Sequence, residues 1–365
     1  MADVRVSLCG VELRNPFIAS SGPLTYGAKG IRRCFAAGAA AAVTKTLCKL
    51  PAENPIPHIV SLGKGTMLNT EKWADLSVQQ WVEQEFPALR GADGVVIASL
   101  GHTVEEVELI APQLARVGDP IRMLEVVSYR AVDMVPMVKA AKRLTDFPVL
   151  AKISPNWPDL MEVVDGCLAA GADGITAADS LGPVLHIDIE TARPALSGDY
   201  GYAWMSGTAI KPVIVRIVAD ICRRHPDVPV VATGGVTTAE DAVEMFMVGA
   251  TAIGAQTAPM LQGVSWFEKT TNKLSKWLDA HGYRSPAEIR GRALPAIAPG
   301  EDKRPLTFFF DADKCTECGR CVTVCAYEAR HLEEGKVMRL DTDACRSCGL
   351  CVTVCPTEAL TADRV

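Results

Sequence analysis

The run FPVLAKI, residues 147–153, decides how this chain is read. It is short, apolar and β-rich, with a lysine, Lys152, at its end. Seven further runs of the same kind occur along the chain: NPFIAS (15–20), AAVTK (41–45), GVVIASL (94–100), IRMLEVV (121–127), DGITAA (173–178), VPVVATG (228–234) and TAIGAQ (251–256). Amphipathic, helix-length stretches lie between most of them, such as AVDMVPMVKAAKRL (131–144) and DLMEVVDGCLAAG (159–171). Strands that are apolar throughout are buried on both faces, and eight of them alternating with helices predict a parallel (β/α)8 TIM barrel in the α/β class rather than an open sheet. GADG at 91–94 and 171–174, with GATA at 249–252, marks recurring helix-to-strand turns.

Chemistry in such barrels sits at the C-terminal ends of the strands. That rule selects Ala19, Ser20, Ser21 and Gly22, then Lys45 and Thr46, Lys152, Asp179 and Ser180, Gly234 and Gly235, and finally Gly254, Gln256 and Thr257. Glycine-rich turns after the seventh and eighth strands are where barrels bind phosphate through bare backbone N–H groups, although a Gly-Gly pair also serves as a plain tight turn. Lysines ending interior strands are costly to bury without an anion, unless they reach out to solvent. Together these features suit a phosphorylated cofactor that carries delocalised negative charge, as reduced FMN does.

The end of the chain reads differently. CTECGRCVTVCAYEA (315–329) returns as CRSCGLCVTVCPTEA (345–359). Cys315, Cys318, Cys321 and Cys325 follow C-x2-C-x2-C-x3-C, and Cys345, Cys348, Cys351 and Cys355 repeat it, with Pro356 after the second copy only and Ala326 in its place in the first. This is the run of two-cluster bacterial ferredoxins, in which three thiolates wrap one face of a cuboidal iron–sulfur cluster and the fourth comes from the other run. The predicted sets are Cys315, Cys318, Cys321 with Cys355, and Cys345, Cys348, Cys351 with Cys325, holding two [4Fe–4S] clusters. Zinc knuckles would leave the repeated fourth cysteine unexplained. Cys9, Cys34, Cys48, Cys167 and Cys222 lack such spacing and read as core or near-surface thiols.

A chain of 365 residues accommodates a barrel of roughly 250 residues plus a small second domain. The expected organisation is a barrel over 1–295, a linker over 296–306 and a ferredoxin-like domain over 307–365. A net charge of −6 argues against a nucleic-acid binder. The N-terminal residues MADVRVSLCGVEL lack the apolar core of a signal peptide, and no stretch has the apolar length of a membrane span, so the chain reads as cytoplasmic. No G-x-G-x-x-G opens a Rossmann unit, so neither NAD nor FAD has an evident site and the electron source is expected to be another protein.

TKT at Thr44–Thr46, LAKISPN at 150–156, GITAADS at 174–180, SGTAIKP at 206–212 and ATGG at 232–235 resemble the dihydroorotate dehydrogenase superfamily, and within it the FMN and ferredoxin portion of the dihydropyrimidine dehydrogenases. The resemblance covers essentially the whole chain. It implies FMN bound by Ser20, Lys45, Lys152, Ser206, Gly207, Gly234, Gly235, Gln256 and Thr257, and substrate contacts from Asn69 and Glu71 in MLNTEKW and from Asp179 and Ser180, the latter two standing where the family has Asn-Thr. It also implies a homodimer and a ferredoxin or a flavin- and NAD(P)H-carrying reductase subunit as redox partner.

The departures from the family concern the proton donor. Its Asn-x-Ser-Cys after the fourth strand corresponds here to Val126, Val127, Ser128 and Tyr129, with no cysteine, and the loop that follows is nearly absent. By position Ser128 and Tyr129 are the candidate acids, Tyr129 serving equally well as a packing residue at the barrel rim; His102 and His186 are fallbacks. The carboxylate of Asp179 accepts hydrogen bonds and donates none, so an N–H-rich or cationic substrate edge fits better than uracil itself. The expected activity is reduction or formation of a C=C bond conjugated to a carbonyl in a small cyclic amide-like substrate. The alternatives are a dihydroorotate dehydrogenase-like enzyme with another substrate and an electron-relay subunit with none.

Overall fold

A computed structural model describes residues 2–364 and divides the chain into two compact units, Met1–Ile297 and Ala298–Val365. In the first unit each of the eight apolar runs supplies one barrel strand: β1 (Phe17–Ala19), β2 (Ala41–Val43), β3 (Val95–Leu100), β4 (Ile121–Val127), β5 (Val149–Lys152), β6 (Gly174–Ala177), β7 (Val230–Thr233) and β8 (Ala252–Ala255). Neighbours in sequence are neighbours in space and parallel, and β8 closes on β1 through the Ile253–Phe17 and Ala255–Ala19 pairs. The outer layer includes α1 (Ala28–Ala36), α2 (Val104–Val117), α3 (Ala131–Leu144), α4 (Leu160–Ala169), α5 (Lys211–Arg224), α6 (Ala239–Met247) and α7 (Trp266–Ala280).

Local signals set the helix starts. Thr103 caps α2 by accepting from Glu106 N–H (3.3 Å), and Thr238 and Asp241 cap α6 reciprocally at 3.1 and 2.9 Å. One apolar core lies between strands and helices, and a second fills the barrel itself. The N-terminal hairpin of Val6–Leu8 and Val11–Leu13 contributes Leu8 and Leu13 to that second core, packing with Ile18, Ile97, Met123, Leu150 and Val231.

Two long excursions leave the barrel, after β2 and after β6, and pair with each other. They form an antiparallel sheet in the order Leu181–Val184, Ala203–Gly207, Thr66–Asn69, Ile59–Gly63. The strand-and-helix reading of the sequence did not contain this sheet. Its strands are amphipathic at best, and the central pairing, of Thr66–Asn69 with Ala203–Gly207, joins segments more than a hundred residues apart.

The second unit has the internal symmetry of its sequence repeat. Strand Leu306–Phe310 pairs with Leu360–Arg364, and Arg330–Glu333 pairs with Val337–Leu340. The short helices Arg320–Thr323 and Leu350–Thr353 each follow a glycine, Gly319 and Gly349, in the left-handed region (φ 68° and 79°).

Candidate active site and cluster ligands

Side chains two residues apart on a strand face the same way. Inside this barrel one layer is therefore apolar, with Ile97, Met123, Leu150 and Val231, and the layer two residues further toward the C-terminal mouth is Ser99, Glu125, Lys152 and Thr233. A pocket at that level is lined by Ser20, Ser21, Glu125, Lys152, Thr176 and Thr233 above the apolar floor. Glu125, absent from the sequence-based candidates, is 2% exposed and accepts a hydrogen bond from Thr176 Oγ1 at 2.9 Å. Burial pushes its carboxyl above the usual carboxylate range, with the positive charge of Lys152 acting against that rise. Lys152 is 9% exposed, and its Nζ lies 3.5 Å from Asp179 Oδ1. Burial disfavours the Lys152 ammonium, but Asp179 and Glu125 outweigh it and hold the group charged. An acid at an inward position of IRMLEVV, in phase with the apolar Met123 and out of phase with the exposed Arg122, was the available signal for Glu125.

Lys45, at the end of β2, is buried and paired with Glu71, whose other oxygen lies 3.0 Å from His58 Nε2. The pairing ties Glu71 to Lys45 and recruits His58, which the sequence did not single out. Glu71 N–H also donates to Asn69 Oδ1 (3.2 Å), and Asn69 Nδ2 donates to Trp204 O (3.3 Å) across the excursion sheet. One N–H and one lone pair of that amide remain for a ligand.

Ser206 and Thr257 meet at 2.9 Å between hydroxyls, and Thr46 meets Ser99 at 3.1 Å. Gln256 is turned to the chain itself: its amide donates to Ser20 O (3.1 Å) and accepts from Leu24 N–H (2.8 Å), fixing the loop after β1. Gly234 and Gly235 have φ of 113° and 86°, so the turn after β7 requires glycine, and a Cβ on Gly235 would reach the Lys211 backbone. Ser180 N–H donates to Asp179 Oδ1 (2.8 Å), and its carbonyl accepts from Asn156 Nδ2 (3.1 Å), a second contributor the sequence reading passed over.

After β4 the chain enters α3 directly behind Arg130. Ser128 is buried, donates to His102 O (2.8 Å) and accepts from Arg130 N–H (3.1 Å), which commits its hydroxyl to the turn. Tyr129 is 57% exposed and stacks on His102 at 4.2 Å between ring centroids, with Trp73 at 5.8 Å from the same imidazole. Both His102 ring nitrogens are buried without a hydrogen-bond partner among the described residues, and burial lowers the imidazole below its usual range. Burial, then the charge of Asp179, raises the Tyr129 phenol above its ordinary value.

In the second unit Cys315, Cys318, Cys321 and Cys355 line one cavity, which is the crossed set given by the spacing. Cys351 is within electrostatic reach of Cys348 and Cys325. Glu317 and Ser347 N–H groups donate to Cys315 and Cys345 Sγ, each at 3.4 Å, so the repeat extends to N–H···S bonds that ordinarily support cluster thiolates. In the barrel unit, burial pushes the Cys9 and Cys167 thiols up to about 12 and those of Cys34 and Cys222 up to about 11, values of unreactive core thiols.

Fold and site define a class: a parallel-barrel oxidoreductase with strand-end lysines at its mouth and a cysteine-rich 4Fe–4S tail. Residues 3–278 match the dihydroorotate dehydrogenase family and residues 309–362 the 4Fe–4S dicluster domain, and the chain belongs to that dehydrogenase family. It is an oxidoreductase acting on CH–CH groups. It is 33% identical over 303 residues to the catalytic subunit of dihydroorotate dehydrogenase B (NAD(+)) from Pyrococcus abyssi, an alignment covering 80% of this chain and 99% of that protein. The same subunit from Methanothermobacter thermautotrophicus is 34% identical over 309 residues, with 80% and 98% covered. The NAD-dependent dihydropyrimidine dehydrogenase subunit PreA from Escherichia coli is 29% identical over 362 residues, with 90% of this chain and 86% of that protein covered. Among the described residues no helix is long and apolar enough to cross a membrane.

Proposed function

We propose that this protein is a ferredoxin-linked FMN oxidoreductase that reduces, or forms, a C=C bond conjugated to a carbonyl in a small cyclic, pyrimidine-like substrate. The observation that carries this reading is the polar layer at the barrel mouth, where Glu125 and Asp179 hold Lys152 charged in the pocket that Ser20, Ser21, Thr176 and Thr233 line. That donor set fits a flavin: hydroxyls and one fixed cation over an apolar floor suit a flat aromatic ring with a polar, anionic edge. Ser20, Ser21 and Lys152 would hold it, with the turn at Gly234 and Gly235 taking the phosphate. When bound, FMN would supply hydride exchange with carbon and one-electron exchange with iron–sulfur clusters. The eight tail cysteines fit two [4Fe–4S] clusters in the crossed ligand sets.

The chain's own side chains do the rest. Lys152 offers preorganised positive charge, commonly the largest contribution to catalysis in a dry pocket. Lys45, neutralised by Glu71, and Asn69, fixed by Trp204 O, give the mouth a rigid rim, and the remaining amide valences of Asn69 meet the substrate's carbonyl or ring N–H. Tyr129 is the proton donor. Its environment keeps the phenol protonated at neutral pH, it stands open at the rim, and His102 supports its ring. Ser128 positions that turn. Domain limits at 1–295, 296–306 and 307–365, a homodimer, cytoplasmic location and an external ferredoxin or reductase subunit belong to the same proposal. The PreA alignment reaches 90% of the chain, against 80% for the dihydroorotate dehydrogenase proteins, and both kinds of relative are named as subunits, which supports an external redox partner.

The test is anaerobic. The protein is reduced with dithionite, freed of excess reductant and mixed with uracil, thymine, conjugated lactams and orotate. Reoxidation by a pyrimidine or lactam supports the proposal. Reoxidation by orotate alone supports the second reading, a dihydroorotate dehydrogenase, which the 33–34% identities favour. Reoxidation only by an acceptor protein leaves an electron-relay subunit and overturns both.

A further inference from the structure

The two halves of the tail are copies in sequence, and they bury different chemistry at one equivalent position. CAYEAR (325–330) and CPTEAL (355–360) align Arg330 with Leu360. Each begins a strand, and each is nearly inaccessible, Arg330 at 3% and Leu360 at 2%. Leu360 lines the cavity of Cys315, Cys318, Cys321 and Cys355. By the repeat, Arg330 stands at the matching wall of the other ligand set; its guanidinium charge reaches Cys351 of that set and also Cys321 of the first.

A buried guanidinium needs an anion. Arg330 lies over the Phe308 ring at 4.6 Å, and its Nη2 is buried with no hydrogen-bond partner among the described residues. A thiolate-ligated iron–sulfur cluster is anionic, and reduction adds a further negative charge to it. A fixed positive charge in a poorly screened site favours the reduced form, whereas the leucine wall offers no such term.

We propose that Arg330 sets the two clusters apart in reduction potential, making the one on Cys345, Cys348, Cys351 and Cys325 the easier to reduce. This rests on the two-cluster reading above. Each step is the addition of one electron from an external electron-transfer protein, or from dithionite in the test. The step adds an electron and moves no proton. Arg330 is thus a positioning residue for electrons, which collect on one cluster before they are paired.

The experiment is an EPR-monitored redox titration of the anaerobically purified full-length protein. Iron and acid-labile sulfide content, with a cluster signal in the wild type, tests the cluster reading separately. The wild type is expected to show two resolved one-electron steps. Arg330→Leu, which installs the residue of the other copy, is expected to lower the upper step by a tenfold or larger change in the reduced-to-oxidised ratio at fixed potential, about 59 mV for a one-electron couple, and to lower the other step, whose ligand Cys321 the same charge reaches, by less. Arg330→Lys is expected to retain most of the separation. Should Arg330→Leu fail to load iron, Leu360→Arg supplies the converse: the lower step rises toward the upper. Unchanged steps in a fully loaded Arg330→Leu protein, or in Leu360→Arg, overturn the proposal.

Discussion

The barrel mouth and the cysteine tail solve opposite problems. The barrel has two large apolar cores and spends them holding a few buried charges, Lys45, Glu125 and Lys152, at the ends of its strands. The tail, roughly 70 residues long, buries only Ala329, Arg330, Cys351, Ala359 and Leu360 among its described residues. A domain of that size with so small a core ordinarily needs a metal or disulfide staple. The comparison assigns different sources of order: in the barrel packing fixes the charges, and in the tail bound metal is expected to fix the packing.

The largest test of that contrast is removal of iron. Chelation under reducing conditions, or Cys318→Ser with Cys348→Ser, is expected to abolish slow amide exchange across the tail while the barrel's protection survives, read residue by residue by hydrogen-exchange mass spectrometry. A tail that stays protected without iron would erase the contrast.

Next in size is the buried charge cluster. Lys152→Met leaves Glu125 and Asp179 without their cation and is expected to cost about 3–5 kcal/mol in denaturant unfolding. Combining it with Glu125→Leu should recover a large part, since removing both members of a buried pair costs far less than removing one. Additive losses would show that the charges do not depend on each other.

Tyr129→Phe separates chemistry from packing at the rim. Turnover is expected to fall by about 10²-fold, with the unfolding midpoint unchanged because the side chain is half exposed. Equal turnover in the variant would return the role to Ser128 or His102.

The smallest effect belongs to the barrel wall. Asp241 is held below the usual carboxylate range: burial opposes this, but Lys211 Nζ at 2.7 Å and the Thr237 and Thr238 amides outweigh it. A depressed folded-state value stabilises above the ordinary carboxylate range and fades as pH falls through the folded value. Asp241→Asn is therefore expected to cost about 1 kcal/mol at neutral pH and to lose that difference in acid, by thermal melts across pH. A difference that grew in acid would reverse the sign.

The repeat in the tail and the eight apolar runs were legible because each is a local pattern. Thiolate spacing must match a cluster face, and a strand buried on both sides must be apolar along its length. The strand-end lysines were legible for the same reason, as charges interrupting such runs. Glu125 stood equally plain in the text but had no neighbour in sequence to explain it. Its meaning lies in Lys152 on the adjacent strand and Thr176 one strand further round the closed ring.

By itself, then, the sequence determined the class of fold, the repeated cysteine spacing of the tail and the end of the barrel where the strand-end polar residues gather, since periodicity and spacing are properties of short segments. Tertiary structure alone decided that Glu71 answers Lys45, that Gln256 serves the β1 loop, that Ser128 is tied into its turn, and that two distant excursions pair into a sheet bearing Asn69. Each of those facts is a contact between residues far apart in the chain, chosen by closure of the barrel and by the need of every buried polar group for a partner.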